Sequence, residues 1–493
     1  MNSMSHRAGV SRGVGLVIGV LGFLVLAFAP LGGPETLAAR RMAAVAFLMA
    51  SWWVSEAIPL AATGLLPIVL FPALGILGAG ETCAEYGHHL IMLFLSGFLL
   101  ARALSRWRLD VRLALAVVAV VGDRPRLIVL AMMAVTAFLS MWVSNSATAA
   151  MMMPVGLAVV DHAAGQLSGE ECKVDSRPGH FHFGVAVMLG IAYAASIGGV
   201  GTLVGTPPNV LLAGMLEQLA GVKISFAAWM LVGIPVVVTV LPAVWVWLVF
   251  FAHPPEVRRL PGGRELVTRR LAALGRVGRG GWLTAVVVVL TALAWITRPL
   301  WQVLFPEPTY LKDATVGIVG ALALFLLPSF EKEGGKLLDG ASLMEVPWRV
   351  LLLFGGGLAL AKGFVATGLS RLLGEGIVGF AKVPAPLFVF LIALAVVSLT
   401  EFASNTASTA MILPLLAATA ASLGLSAPLL MIPAALAASM AFMMPASTPP
   451  NAIVFGTGYV RLPTMIRAGL GANVIALVVI VVVSLLIVAP VWG

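Results

Sequence analysis

The chain has 493 residues, of which 60% are hydrophobic and only 10% are charged, and its mean hydropathy is +1.05. About a quarter of the residues of a soluble domain are charged, so this composition excludes a soluble globule. It predicts an all-α polytopic membrane protein. The net charge of +9 does not indicate a nucleic-acid partner, because the basic residues are scattered over loops beside lipid headgroups. Cys83 and Cys172 are too few for a disulfide framework or a metal cluster.

Eleven apolar runs are long enough to cross a hydrocarbon layer of about 30 Å. They begin near residues 14, 42, 60, 86, 183, 227, 282, 312, 348, 430 and 467. The first run lacks a small-residue cleavage site and is interpreted as a retained helix. Two further apolar segments, at about 126–160 and 386–424, are each interrupted by a polar triplet. We interpret both as re-entrant helical hairpins, which enter and leave the membrane on the same side.

The same pair of motifs occurs twice along the chain. Residues 139–154 (LSMWVSNSATAAMMMP) and 399–414 (LTEFASNTASTAMILP) match at an offset of 260, and each is followed by Thr-Pro-Pro-Asn, at 206–209 and at 448–451. A repeat of broken, polar-centred segments in a membrane chain indicates a transporter whose site lies where the halves meet.

The repeat divides the chain into four parts. We expect an N-terminal extra helix (1–40), a first repeat (41–252), a basic cytoplasmic linker (253–281) and a second repeat (282–493). The piece Arg269–Leu274 of the linker is expected to form an amphipathic helix on the inner headgroups. No catalytic residues are apparent in it.

The distribution of basic residues predicts the orientation, because Lys and Arg concentrate in cytoplasmic loops. With a cytoplasmic N-terminus and an outside C-terminus, the inside segments hold 22 of the 30 basic residues. Arg102 and Lys362, which are equivalent in the repeat, then lie on opposite sides, so the repeat is predicted to be inverted. The expected location is a bacterial inner (cytoplasmic) membrane, crossed many times.

The polar triplets predict an anion site. Each bare amide or hydroxyl costs a few kcal/mol away from water, so something polar must meet these residues. A hairpin that turns there leaves unpaired N–H groups at the start of its second arm, where the helix dipole also favours an anion. No Lys or Arg lies in either triplet segment or beside either Thr-Pro-Pro-Asn. The charge of the anion must therefore be offset by helix ends and by cations bound with it.

The same segments predict two sodium sites, since tandem prolines break a helix and expose carbonyl oxygens at mid-membrane. Because the chain is duplicated, we expect one sodium ion at a set of residues in the first repeat and a second sodium ion at the equivalent set in the second repeat. These sets are Ser140, Ser144, Asn145 and Gly205 for sodium 1, and Thr400, Ala403, Asn405 and Ser447 for sodium 2.

Other polar residues carry weaker signals. Glu56 and Glu85 are expected at helix ends, whereas Glu401 either pairs with a neighbour or tunes the second ion site. The seven histidines lie at span ends or in loops, and no metal site is expected among them.

With these motifs the chain resembles the divalent anion:sodium symporter family, the INDY-type dicarboxylate transporters of the ion transporter superfamily. The family's marks are two Ser-Asn-Thr hairpin tips and two Pro-Pro-Asn breaks, which match 144–146, 206–209, 404–406 and 448–451 in order. The resemblance implies a homodimer with scaffold and transport domains, elevator-type alternating access, and sodium-coupled carriage of succinate, malate or fumarate. The residues then expected to face the substrate are Ser144, Asn145, Ser146, Thr206, Pro207, Ser404, Asn405, Thr406, Thr448 and Pro449.

Two departures leave alternatives open. The first tip reads Ser-Asn-Ser and lacks a methyl group that would pack against the substrate, and Ser447 replaces a small apolar residue that relatives often have. A sodium-independent dicarboxylate exchanger and a sulfate or citrate carrier therefore remain as alternatives with the same fold. A polytopic membrane enzyme is disfavoured, because the repeat centres contain no nucleophile with a base and no paired carboxylates.

Overall fold

The structure is a computed structural model that describes residues 2–29, 36–167, 175, 177, 179–257, 259, 263–331, 334–375 and 384–492. Within these ranges the regular structure is helical, with an isolated β-bridge between Pro328 and Lys336. Nine helices among the described residues are long and apolar enough to cross a membrane, and six shorter apolar helices accompany them. The prediction of an all-α polytopic membrane protein is confirmed.

The helices of the first half follow one another in the order of the predicted spans and hairpin. They are α1 (Asn2–Phe28), α2 (Leu37–Ser55), α3 (Leu60–Thr63), α4 (Leu66–Leu74), α5 (Ala79–Ala84), α6 (His89–Arg106), α7 (Leu109–Val121), α8 (Pro125–Ser140), α9 (Asn145–Leu167), α10 (His182–Gly199), α11 (Pro207–Ala220) and α12 (Phe226–Val246).

The helices of the second half begin in the linker. They are α13 (Gly263–Ala273), α14 (Arg279–Trp301), α15 (Asp313–Leu326), α16 (Gly340–Met344), α17 (Trp348–Ala366), α18 (Leu369–Glu375), α19 (Ala385–Thr400), α20 (Asn405–Leu423), α21 (Ala427–Ala438), α22 (Pro449–Phe455), α23 (Leu462–Val483) and α24 (Ala489–Trp492).

The two halves repeat the same series of elements. Each has a long helix, a short arm helix, two helices joined by a four-residue turn, an interrupted helix, and a long helix that ends in a π-helical turn. The π-helical turns are Trp247–Ala252 after α12 and Ser484–Val488 after α23. The duplication predicted from the two motifs therefore extends to features outside these motifs, such as the π-helical turns.

The two polar triplets lie at the turns of the predicted hairpins. Residues 141–144 join α8 to α9, and residues 401–404 join α19 to α20. The predicted segment 386–424 agrees with α19–α20 to within a residue at each end, whereas 126–160 stops short of the end of α9 at Leu167. Both asparagines, Asn145 and Asn405, are the first residues of the returning helices.

The second half of each repeat packs against the other repeat. Helix α9 contacts α22, and α11 contacts α20 and α21, so each returning hairpin helix meets the interrupted helix of the opposite repeat. Helix α10 is almost wholly buried, and its Tyr193 ring lies 4.9 Å from the Phe442 ring after α21. Both hairpins and both breaks therefore share one protein interior.

The linker is tied to the arm of the first repeat. Its helix α13 packs against α7. The Arg112 guanidinium of α7 donates to the carbonyl oxygens of Leu274 (2.6 Å) and Gly275 (2.7 Å). The expected linker helix is present. Contacts with α7 hold it in place, in addition to the expected contact with lipid headgroups.

A buried ion pair joins α14 to α15 and predicts a stability effect. Arg298 Nε lies 2.6 Å from Asp313 Oδ1, the two side chains are only 13% and 7% exposed, and Asp313 also accepts from Phe226 N at 2.9 Å. Asp313→Ala leaves the guanidinium buried without its partner and should lower the free energy of unfolding by about 3–5 kcal/mol. The melting temperature of the purified protein in detergent measures the effect.

The matched control is Glu56→Ala, which removes the exposed pair between Arg12 and Glu56, 3.8 Å apart. An exposed pair contributes roughly 0–1 kcal/mol, so this variant should melt close to wild type. Equal melting temperatures for the two variants would contradict the assigned role of Asp313.

Candidate transport site

The first hairpin tip forms a compact group of polar atoms around Asn145. One atom of its side-chain amide group lies 2.8 Å from Ser140 Oγ, 3.1 Å from Ala195 O and 3.2 Å from Gly205 O. Ser140 Oγ also donates to Ala195 O at 2.6 Å. The structure thus brings together Ser140, Asn145 and Gly205, three of the four residues expected at sodium 1, and adds the carbonyl of Ala195.

The direction of the Asn145 amide decides how this group is bonded. With its nitrogen toward the group, the amide donates to Ser140 Oγ and to both carbonyl oxygens. With its oxygen toward the group, four oxygen atoms from Ser140, Asn145, Ala195 and Gly205 face one another. Such a set is stable only with a hard cation between the oxygens, since these are the ligands that such ions bind.

Ser144, the fourth residue expected at sodium 1, has a different contact. Its hydroxyl accepts from Ala147 N at 3.4 Å and so caps the start of α9. The side chain therefore orders the helix terminus, and its contact with an ion stays a prediction.

The first break is held by an amide that the sequence analysis did not include among the site residues. Asn209 Nδ2 donates to Gly199 O at 3.1 Å and to Thr202 O at 2.7 Å, and the residue is fully buried. These bonds satisfy carbonyl groups that the unwinding between α10 and α11 has released. A Cβ on Gly205 would lie 2.4 Å from Gly199 O, so only glycine fits there.

The second break repeats this arrangement. Asn451 Nδ2 donates to Ala441 O at 3.2 Å and to Met444 O at 3.1 Å. The asparagines of the two breaks are 242 residues apart, and so are the carbonyls that they bind. The repetition of Asn in Thr-Pro-Pro-Asn was the available sequence signal for this role.

The second tip is less tightly bonded than the first. Asn405 Oδ1 is buried and lacks a hydrogen-bond partner among the described residues. Thr400 Oγ1 donates to Val397 O at 3.2 Å within its own helix, and Ala403 is buried beside it. Ser447 Oγ donates to Met444 O at 2.7 Å and accepts from the Asn451 amide at 3.1 Å. Asn405 thus offers a free acceptor, while the hydroxyls of Thr400 and Ser447 are engaged locally.

Glu401 resolves an alternative that the sequence left open, because its carboxylate binds the second break. The side chain is buried and accepts backbone N–H groups from Phe442 (2.9 Å), Met443 (3.0 Å) and Met444 (3.0 Å). It also accepts from Asn473 Nδ2 on α23 at 2.7 Å. The corresponding residue of the first repeat is Met141, so only the second site carries this buried acidic group.

The residues expected to face a substrate differ in how far their side chains are exposed. Ser144, Asn145, Ser146, Pro207, Ser404, Asn405 and Thr406 are half-buried, Thr206 and Thr448 are buried, and Pro449 is exposed. Thr448 Oγ1 accepts from Asn451 N at 3.3 Å and caps α22. The first turns of α9 and α20 contain N–H groups that have no partner within their helix, and such groups are a common feature of anion sites.

The close approach at Gly205 predicts a steric effect. Gly205→Ala forces a Cβ against Gly199 O and within 2.9 Å of Ser140 O, so we expect destabilisation by about 1–3 kcal/mol. Gly80→Ala in α5 is the matched control, because a Cβ there has nothing within 4 Å. Melting temperatures measure both, and a Gly205→Ala protein as stable as the control would contradict the described packing of the break.

Comparisons with known proteins agree with the fold. Residues 11–492 match the family described as the sodium:sulfate symporter transmembrane region. The sodium-dependent dicarboxylate transporter SdcS of Staphylococcus saprophyticus is 40% identical over 487 residues, covering 98% of this chain and 93% of that protein. SdcS of Staphylococcus aureus strain USA300 is 40% identical over 483 residues, covering 97% and 92%.

A solved structure shares the fold at low identity. It is described as the crystal structure of the Alcanivorax borkumensis YdaH transporter with an unusual topology, and it matches with a TM-score of 0.55, 13% identity and 98% coverage of both chains. The family and these relatives are transporters, which rules out the membrane enzyme considered above. The chain belongs to the sodium:sulfate symporter transmembrane family.

Proposed function

We propose that this protein is a sodium-coupled importer of a small dicarboxylate of the succinate, malate and fumarate class. The observation that carries the proposal is the group around Asn145, in which Ser140 Oγ and the carbonyl oxygens of Ala195 and Gly205 lie within 3.2 Å of one amide atom. Oxygen ligands without a fixed counter-charge suit a sodium ion. The names of the two staphylococcal relatives, sodium-dependent dicarboxylate transporters, support the same substrates.

The anion is proposed to bind between the two tips. Helices α9 and α20 begin at Asn145 and Asn405, so their positive ends and free N–H groups offer a carboxylate site each. Because no basic side chain belongs to either tip, the second negative charge depends on bound sodium. Sodium and dicarboxylate are therefore expected to raise each other's affinity.

The proposed movement is that of an elevator, as in the family that the chain resembles. We assign α1–α6 and α14–α17 to a scaffold group, and α8–α12 and α19–α23 to a transport group. Glycines line the contact between the groups: a Cβ on Gly214 of α11 would lie 2.6 Å from Leu358, and one on Gly357 would lie 3.1 Å from Leu211. Such close, side-chain-poor surfaces favour sliding of one group against the other.

The assembly and the location are proposed with the same mechanism. We propose a homodimer in the inner membrane, with a cytoplasmic N-terminus, an outside C-terminus and the four-part domain division given above. The distribution of basic residues supports this orientation.

A sulfate carrier is the second candidate, because the matching family is described by sodium and sulfate. Both candidates need a dianion site and sodium, so the tip geometry serves either one. The difference lies in the distance between the two negative ends of the substrate. Competition between substrates separates the candidates.

The experiment is uptake of labelled succinate by proteoliposomes. Uptake should require an inward sodium gradient, and unlabelled succinate, malate and fumarate should compete better than sulfate or citrate. Uptake that is indifferent to sodium rejects symport, and stronger competition by sulfate favours the second candidate.

Variants of the first tip test the site. Ser140→Ala and Asn145→Ala each remove one of the clustered oxygens and should lower uptake by about tenfold or more. Ser398→Ala is the matched control, since this exposed hydroxyl of α19 bonds only the Leu394 carbonyl of its own helix. Full uptake by both tip variants would refute the sodium assignment.

A further inference from the structure

Three metal-ligating side chains meet outside the transport site. His88 precedes α6, His89 begins it, and Glu217 lies in the last turn of α11. One ligand atom of each lies within 4.8 Å of the other two, and His89 Nε2 is 3.0 Å from Glu217 Oε2. The two imidazole centroids are 4.4 Å apart. The cluster joins α6 to α11, and His89 and Glu217 are 128 residues apart along the chain.

One ring nitrogen of each histidine and one Glu217 carboxylate oxygen are close enough together to bind the same metal ion. His88 Nδ1 accepts from Leu90 N at 3.4 Å, so Nε2 carries the proton of the neutral ring. Binding of a metal ion at Nε2 therefore moves this proton to Nδ1 and replaces the long bond from Leu90 N. Glu217 already lies against His89 Nε2, so a metal ion can replace the shared proton. All three side chains are half-buried, and an ion from solution can therefore reach them.

A cavity beside the cluster gives a metal ion access to it and has room for water as a further ligand. His89 and Glu217 line a cavity of about 290 Å³, together with Lys223, Lys312 and the paired residues Arg298 and Asp313. The cavity is large enough for water, which completes the coordination of three-ligand zinc sites. The lysines reduce the affinity for any cation, whereas the Glu217 carboxylate opposes them.

We propose that His88, His89 and Glu217 form a binding site for a divalent transition metal of the zinc class. Two imidazoles and one carboxylate suit Zn²⁺ or Co²⁺ and are a poor set for sodium or magnesium, which prefer oxygen alone. No metal site was predicted among the histidines, which lie at span ends or in loops, and Glu217 is distant from them along the chain. The site becomes apparent only when α11 packs against α6.

The position of the site gives it a consequence for transport, which rests on the proposed function. Helix α6 belongs to the scaffold group and α11 to the transport group. Gln218 crosses the same boundary by donating to Glu85, which pairs with Lys362 at 2.9 Å. A metal ion bound by both helices adds coordinate bonds across this boundary and holds the two groups in one arrangement. Bound metal is therefore expected to slow dicarboxylate uptake.

The first measurement is binding of Co²⁺ by the full-length protein in detergent, purified through a tag without histidine. We expect one equivalent of Co²⁺ with visible absorption bands of a low-coordinate site, displaced by Zn²⁺. His88→Ala/His89→Ala should lose these bands, and Glu217→Gln should weaken binding by about tenfold or more. The matched control is His182→Ala/His253→Ala, a histidine pair with centroids 5.4 Å apart near the start of α10. Equal Co²⁺ binding by site and control variants would overturn the proposed site.

The second measurement is inhibition of succinate uptake by external Zn²⁺. Wild type and the His182/His253 control should be inhibited at Zn²⁺ concentrations about tenfold or more below those needed for the His88/His89 variant. Metal binding without any inhibition would overturn the coupling to transport. The Co²⁺ spectrum needs no substrate, so a protein that binds Co²⁺ but carries no dicarboxylate would contradict the proposed function and leave the metal site standing.

Discussion

Unwound backbone inside a membrane protein must have its N–H and C=O groups satisfied by the protein, because lipid offers no partners. This requirement governs both breaks of the chain. Asn209 and Asn451 bind the carbonyl groups released by unwinding, at positions related by the repeat. Once these amides take up the inner carbonyls, the Gly205 carbonyl is free to face the Asn145 amide. The geometry of the first tip therefore depends on the amide of Asn209, a residue outside the predicted ion and substrate sites.

The two halves are similar in architecture and different in charge. Glu401 places a buried carboxylate on the N–H groups of Phe442, Met443 and Met444, whereas the first repeat has Met141 at that position. The first tip is closely bonded around Asn145, while Asn405 keeps an unpaired oxygen. Duplication followed by such divergence gives the two proposed cation sites different surroundings.

The sequence predicted the elements that periodicity and helix-breaking residues encode. Both asparagines are at helix starts and both Thr-Pro-Pro segments lie at breaks, because polar triplets and tandem prolines have few other places in an apolar chain. The role of Ala195 was not predictable, since every residue has a carbonyl group and only packing selects one. The hydroxyl of Ser144 caps α9, which is the common role of serine before a helix, and its contact with an ion stays a prediction. The partners of Glu401 and Glu217 depend on tertiary contacts between distant segments.

The central claim is that sodium compensates the charge of a dianion that no basic side chain of the tips contacts. Calorimetric titration of succinate into the purified protein, with sodium varied against choline at constant ionic strength, tests it most directly. The account predicts that succinate affinity rises steeply with sodium and that binding is lost in choline, because the anion then meets uncompensated oxygen atoms. Equal succinate affinity in sodium and in choline would contradict the account.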